Sequence, residues 1–286
     1  MSEKEMVDYV SNRNIKGIIV GLDPISKEII ETDNSLEIIS KYGTGLDNID
    51  IKAAKNNGVT VTYTPGANTQ SVADLTFGLI LGVSRWIPTH DRRLRKGTLD
   101  RNQGREIWNK TLGIVGLGQI GSAVAKRAQG FNMVPLYYDL DRRETLETAL
   151  GVEYRDFKDL IAESDFLTLH CPLNKSTRNL VGKSELTAMK DNSILINTAR
   201  SGLIDEKALL EALKSDEIAG AAVDTFESEE ALNTELFSLD NFVGSPHAGA
   251  STKESVLIMA NMATDEVLNV LRGKQPAHIV PELCDN

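Results

Sequence analysis

Of the four histidines in this chain, His247 stands in the segment SPHAGASTKE (245–254), after a proline and before a run of small residues. An imidazole titrates near neutrality and can exchange a proton at physiological pH. To do chemistry it needs partners, and two other segments offer them. INTARSGLIDEKALLEAL (196–213) carries Arg200 after a small-residue turn, and AAVDTFESEE (221–230) carries Asp224, Glu227, Glu229 and Glu230. A guanidinium can grip a carboxylate with two parallel hydrogen bonds and polarise an adjacent carbonyl. The imidazole can exchange a hydroxyl proton, and a carboxylate can orient the ring and raise its pKa. Such a set suits hydride transfer at a carbon next to a carboxylate. Spacing alone does not bring the three segments together, and surface charges with a loop histidine would read the same way.

A hydride needs a carrier. TLGIVGLGQIGSAVAKRAQ (111–129) places Gly116, Gly118 and Gly121 in G-x-G-x-x-G spacing, after an apolar run and before small residues in a helical pattern. In that setting the glycines permit a tight turn, the approach of a pyrophosphate to the helix N-terminus, and close packing of helix on sheet. The next apolar run, MVPLYYD (133–139), ends at Asp139, where a carboxylate would accept hydrogen bonds from a ribose. Asp139 would repel a 2′-phosphate, so NAD is expected over NADP. Arg142 and Arg143 are read as solvated arginines rather than phosphate ligands.

These groups need a scaffold that presents several strand ends on one edge. Strands are expected at 16–21, 36–40, 59–64, 111–116, 133–139, 166–170, 193–198, 219–226 and 241–247, with helix-like segments between. Several of these runs are apolar almost throughout, as in parallel sheets with helices on both faces. The alternation argues for an α/β fold, and open sheets of that class bind ligands outside the carboxyl ends of their strands. Two long helical patterns break the rhythm. One covers 69–97, runs into a basic stretch, and is expected to bridge two lobes. The other covers 251–273, is expected to return to the first lobe, and opens on an apparent capping box, Ser251 with Glu254. Ser2 with Glu5 would form another at the start of the chain. The reading is a doubly wound parallel-sheet Rossmann domain over 88–264 and a smaller domain over 1–87 plus 265–286.

Bulk properties narrow the field. A chain of 286 residues with 41% hydrophobic and 25% charged residues reads as globular. With 31 basic against 41 acidic side chains the net charge is −10, which argues against nucleic acid as a partner. The acidic start, MSEKEMVDYV, has no apolar core of a secretory signal, and no apolar run approaches the length of a membrane span. Cys171 and Cys284 show neither a disulfide framework nor metal-ligand spacing, so no metal is expected and a reduced, cytoplasmic protein fits best.

At these residues the sequence resembles the D-2-hydroxyacid dehydrogenase family, and within it the D-3-phosphoglycerate dehydrogenases most closely. The resemblance rests on KYGTGLDNID (41–50), TPGANTQSVADLTFGLIL (64–81), NKTLGIVGLGQIG (109–121) and LHCPLNKSTRNLV (169–181), followed by the arginine, carboxylate and histidine segments in family order. It implies a Rossmann domain beside a flavodoxin-like substrate domain. Arg200 would bind the substrate carboxylate, His247 would be the acid/base with Glu229 as its partner, and Asp224 would meet the nicotinamide carboxamide. Backbone N–H groups of Gly43, Thr44 and Gly45 would cradle the substrate carboxylate, and Lys41 would face a substrate phosphate. Gln119, Ile120, Cys171, Pro172, Thr198, Ala199, His247 and Gly249 would complete the NAD site. Trp86 and Trp108 would pack the interface of a homodimer.

The implied reaction converts D-3-phosphoglycerate to 3-phosphohydroxypyruvate, a step of serine biosynthesis. The alternatives are a glyoxylate or hydroxypyruvate reductase, and a non-catalytic NADH-binding scaffold of the corepressor type. Three departures stand out. Ser201 replaces a usual glycine, Glu230 replaces a usual proline, and the match begins at a helix that normally follows a strand, a helix and a strand. KGIIVG (16–21) should then be a sheet edge, covered by the N-terminal helix or by another chain. On this length no C-terminal regulatory domain is expected. His170 is expected to shape a loop rather than titrate, Cys171 to be small and buried, and His90 and His278 to lack companions.

Overall fold

Apolar runs with little polar interruption become strands here because helices cover both faces of the sheet that they form. The computed structural model describes residues 3–11, 13–32, 34–226 and 234–283. In chain order the first elements are α1 (Glu3–Ser11), β1 (Gly17–Val20), α2 (Lys27–Glu31), β2 (Ile38–Lys41), α3 (Ile51–Asn56) and β3 (Thr60–Thr62). Next come α4 (Thr69–Ser84), α5 (Ile87–Arg95), β4 (Thr111–Val115), α6 (Gln119–Ala128), β5 (Val134–Tyr138), α7 (Glu144–Leu150) and β6 (Glu153–Tyr154). Then follow α8 (Phe157–Glu163), β7 (Phe166–Leu169), α9 (Lys183–Ala188), β8 (Ile194–Asn197), α10 (Glu206–Lys214), β9 (Gly220–Val223), α11 (Thr234–Ser238), β10 (Phe242–Gly244) and α12 (Lys253–Leu271). Each expected strand has its counterpart. The pattern misses β6, whose two residues are too few to carry an alternation.

The chain divides into two units, Met1–Asn68 with Ala250–Asn286 and Thr69–Gly249. Both crossings differ from the expected boundaries at 87/88 and 264/265. Helix α4 is apolar around most of its circumference and packs on α6, β8 and β9, so it belongs to the second unit. Helix α12 packs on β1 and β2, with Tyr42 Oη donating to Val256 O and a Val267 methyl against Gly17, so it belongs whole to the first. The long pattern over 69–97 is also two helices. Trp86 adopts a left-handed conformation (φ +56°) between α4 and α5, and Pro88 lies in the first turn of α5.

The second unit is a seven-stranded, wholly parallel sheet in the order β10-β9-β8-β7-β4-β5-β6. Successive residues feed opposite cores: Leu167 and Leu195 point to one face, while Phe166, Ile194 and Ile196 point to the other. The chain leaves β4 toward β5 on one side and returns to β7 on the other, so the end of β4 is the topological switch point where such sheets bind dinucleotides.

The first unit is a three-stranded parallel sheet, β1-β2-β3, over a core that includes Ile29, Ile39, Val61 and Val280. The C-terminal segment runs antiparallel beside β3, where Tyr63 N donates to His278 O at 3.2 Å and Val280 N to Val61 O at 3.0 Å. As expected, β1 is an outer strand. Helix α1 buries Val10 against α2, yet Ile19 on β1 stays 47% exposed, so α1 leaves that side chain uncovered. Among the described residues no helix is long and apolar enough to cross a membrane.

The cap of α12 lies one residue beyond the expected box: Thr252, not Ser251, is the N-cap, and its hydroxyl accepts from Ser255 N at 3.2 Å. Ser2 lies outside the described residues. Thr252→Ala should therefore cost about 1 kcal/mol of stability in urea unfolding, whereas Ser251→Ala should leave the midpoint unchanged.

Candidate active site

The glycine turn after β4 is built by exclusion of side chains. Gly116 has φ +93°, and a Cβ there would lie 3.0 Å from the backbone of His170 and Cys171. A Cβ on Gly121 would lie 2.1 Å from Gly116 O. A Cβ on Gly118 would meet nothing within 4 Å, and Gly118 caps α6 with no side-chain bond. Two glycines thus close the turn, and the third leaves room before bare helix N–H groups, which is what a pyrophosphate requires. Gln119 and Ile120 open α6. Asp139, at the end of β5, accepts from Leu117 N at 2.9 Å through one carboxylate oxygen and fixes this turn from the side.

The loop after β7 lies against the same turn. The Nε2 of His170 is 2.9 Å from Thr168 Oγ1, and its buried Nδ1 has no partner among the described residues. Burial pushes its pKa down to about 3, so the ring is neutral at physiological pH, in keeping with a shaping role. Burial also pushes the Cys171 thiol up to about 11, which leaves little thiolate for redox chemistry. Pro172 O accepts from Thr177 Oγ1 at 2.7 Å and steadies the loop.

Arg200, Asp224 and His247 follow the carboxyl ends of β8, β9 and β10, three adjacent parallel strands. The outer two of these lie about 10 Å apart, two inter-strand spacings. The three segments therefore share one edge of one sheet. The turn carrying Arg200 is shaped by Asn197, which is fully buried: Nδ2 donates to Arg200 O at 2.7 Å, and Oδ1 accepts from Ala199 N at 3.0 Å. Arg200 Nη1 donates to Ala199 O at 2.7 Å, and Thr198 Oγ1 lies 3.0 Å from Thr76 Oγ1. Sequence reasoning passed over Asn197, although an amide closing the apolar run ILIN was a legible signal.

Asp224 is 1% exposed, and its carboxylate collects three donors from the histidine turn. Ser245 Oγ donates to Oδ1 at 2.5 Å, Ala248 N to Oδ1 at 2.8 Å, and Gly249 N to Oδ2 at 2.9 Å. Its own carbonyl accepts from His247 N at 2.8 Å. Ser71 Oγ on α4 donates to Gly249 O at 2.5 Å. His247 is thereby held with φ +52°, a left-handed conformation that a non-glycine residue adopts only where its surroundings impose it. Glu229, with Glu227 and Glu230, lies outside the described residues.

In the first unit, Gly43 has φ +134°, and its N–H donates to Thr64 Oγ1 at 2.9 Å. Lys41 is 5% exposed: its ammonium donates to Gly21 O and, at 2.6 Å, to Asn48 Oδ1. Two histidines have companions that the sequence did not suggest. Asn102 N donates to His90 Nε2 at 3.1 Å, and His278 Nδ1 lies 2.7 Å from the buried Glu266. No group of three or more His, Cys, Asp or Glu side chains that could hold a metal is found among the described residues.

Residues 77–249 match the family model "D-isomer specific 2-hydroxyacid dehydrogenase, NAD binding domain". The chain belongs to that family. It is 43% identical over 267 residues to a glyoxylate reductase of Thermococcus litoralis, covering 90% of this chain and 81% of the relative. It is 39% identical over 283 residues to a D-3-phosphoglycerate dehydrogenase of Methanocaldococcus jannaschii, covering 98% of this chain and about half (54%) of that protein. The crystal structure of D-lactate dehydrogenase with NAD+ from Lactobacillus jensenii superposes with a TM-score of 0.81 at 29% identity, covering 98% of this chain and 89% of that one. This 2-hydroxyacid dehydrogenase is NAD-dependent, and the glycine turn and Asp139 fit the dinucleotide.

Asp224→Asn sets an amide among three donors. It should cost about 2 kcal/mol in urea unfolding and lower kcat of the dehydrogenase at least about tenfold. His170 carries a linkage signature. Its folded pKa is depressed from 6.5 to about 3, so the unfolded chain binds the extra proton first and stability falls as pH drops through that interval. His170→Gln should flatten that part of the decline, as measured by urea midpoints across the interval.

Proposed function

We propose that this dehydrogenase reduces a short, unphosphorylated 2-oxo acid, glyoxylate or hydroxypyruvate, to the 2-hydroxy acid. The observation that carries this reading is Lys41. Its buried ammonium is committed to Gly21 O and Asn48, whereas phosphate recognition needs it turned toward the substrate. The likeness to the Thermococcus reductase supports the same choice. NADH, when bound, supplies the hydride that reaches the carbonyl carbon. Arg200 grips the substrate carboxylate and polarises the carbonyl, His247 delivers the proton to the oxygen, and Glu229 orients the ring and raises its pKa. Thr44 and Gly45 offer backbone N–H groups to the carboxylate, while that of Gly43 is bonded to Thr64. The N–H groups at the start of α6, with Asp139, hold the dinucleotide. Trp108, 55% exposed, serves a homodimer interface.

Oxidation of D-3-phosphoglycerate is the second reading, favoured by the match to the Methanocaldococcus enzyme along 98% of this chain. It requires the phosphate to reach the buried Lys41 ammonium. Initial rates of NADH oxidation with glyoxylate, hydroxypyruvate and 3-phosphohydroxypyruvate separate the two. Glyoxylate or hydroxypyruvate should exceed the phosphorylated acid at least about tenfold in kcat/KM, and the reverse order would overturn the first reading. Arg200→Ala should lower kcat/KM by about a hundredfold or more while leaving the NADH dissociation constant, read by fluorescence, near wild type.

A further inference from the structure

The segment after β5 carries Asp139 and then two arginines, Arg142 and Arg143. A carboxylate there favours an unmodified ribose, whereas an arginine there would accommodate a 2′-phosphate. This chain holds both chemistries within a few residues: Arg143 Nε lies 3.9 Å from Asp139 Oδ2, whereas Arg142 is paired with α7. Arg142 Nε and Nη2 donate to Glu147 Oε1 and Oε2 at 2.8 and 2.9 Å, a fork-on-fork pair. Glu147 Oε1 also accepts from Tyr137 Oη at 2.7 Å. Tyr137 is fully buried in β5, and its oxygen accepts in turn from Arg143 N at 2.8 Å. The segment is thus tied at two points to one tyrosine in the core. The Arg142 guanidinium, 5.7 Å from the centroid of the Tyr154 ring, is held beside α7. The pairing with Arg142 and the tyrosine hydroxyl lower the Glu147 pKa to about 2, so the clamp stays ionised at physiological pH.

We propose that Glu147 is a cofactor-specificity residue: by occupying the two-pronged edge of Arg142 it denies that arginine to a 2′-phosphate and keeps the enzyme selective for NAD(H) over NADP(H). The same edge would serve the phosphate, so the two anions compete for it. Glu147 acts through Arg142 and need not touch the cofactor, which makes it a positioning residue. The inference rests on the proposed role of Asp139 at the ribose.

The test is binding of NADH and NADPH by fluorescence titration, with kcat/KM for each as a second readout. Glu147→Gln should tighten NADPH binding at least about tenfold and change NADH binding less than about twofold. Glu147→Ala repeats the test without an acceptor. In the double variant Glu147→Gln/Arg142→Ala the gain should vanish. No gain in either single variant, or a gain that survives loss of Arg142, would overturn the proposal. Asp139→Ala separates the two levels: weaker NADH binding upholds the ribose role independently of Glu147, whereas unchanged NADH binding removes that role and the proposal with it.

Discussion

A buried carboxylate is expensive unless it is hydrogen-bonded, and both oxygens of Asp224 accept from donors of a single turn. The Ser245 hydroxyl and the backbone N–H groups of Ala248 and Gly249 all converge on it. That convergence ties the end of β9 to the segment after β10 and holds His247 in a left-handed backbone conformation. Ser71 adds a bond from α4 to Gly249 O. An imidazole on a free loop would sample many directions. This one is delivered by a short segment bonded to the core.

The rest of the second unit follows one geometric rule. In a parallel sheet all carboxyl ends lie on one edge, so chemistry placed after β4, β5, β7, β8, β9 and β10 falls on one rim whatever its separation in sequence. Gly116 and Gly121 close the turn at the switch point, Gly118 leaves room before the helix, Asp139 braces the turn, and Asn197 shapes the approach to Arg200. Asn197 and Asp224 are polar residues buried at strand ends, and each sets the turn that carries the next functional group.

Much of this was legible. The apolar runs located the strands, the glycine spacing located the dinucleotide turn, and small residues beside a proline marked the histidine turn. Less legible were features that depend on where an element packs. The apolar circumference of α4 suits any buried site, and only its packing on α6, β8 and β9 assigns it to the second unit. Ser251 and Thr252 are both capping residues by type, and the backbone selects Thr252. The arginines after Asp139 are exposed, as expected, yet Arg142 is also paired with Glu147, which a tyrosine inside the sheet holds in turn.

Residue type and local order by themselves determined the α/β class, the cofactor turn and the identity of the chemical groups, because propensity, periodicity and glycine's lack of a Cβ act over a few residues. Tertiary structure alone decided which groups are paired and with what. Lys41 donates to Gly21 O and Asn48, and the Asp224 carboxylate accepts from the histidine turn, pairings that neither residue's type nor its neighbours in sequence announce. A hydrogen bond between residues distant in sequence leaves no local trace. Its partners are set by the fold, and with them the direction in which each side chain can act.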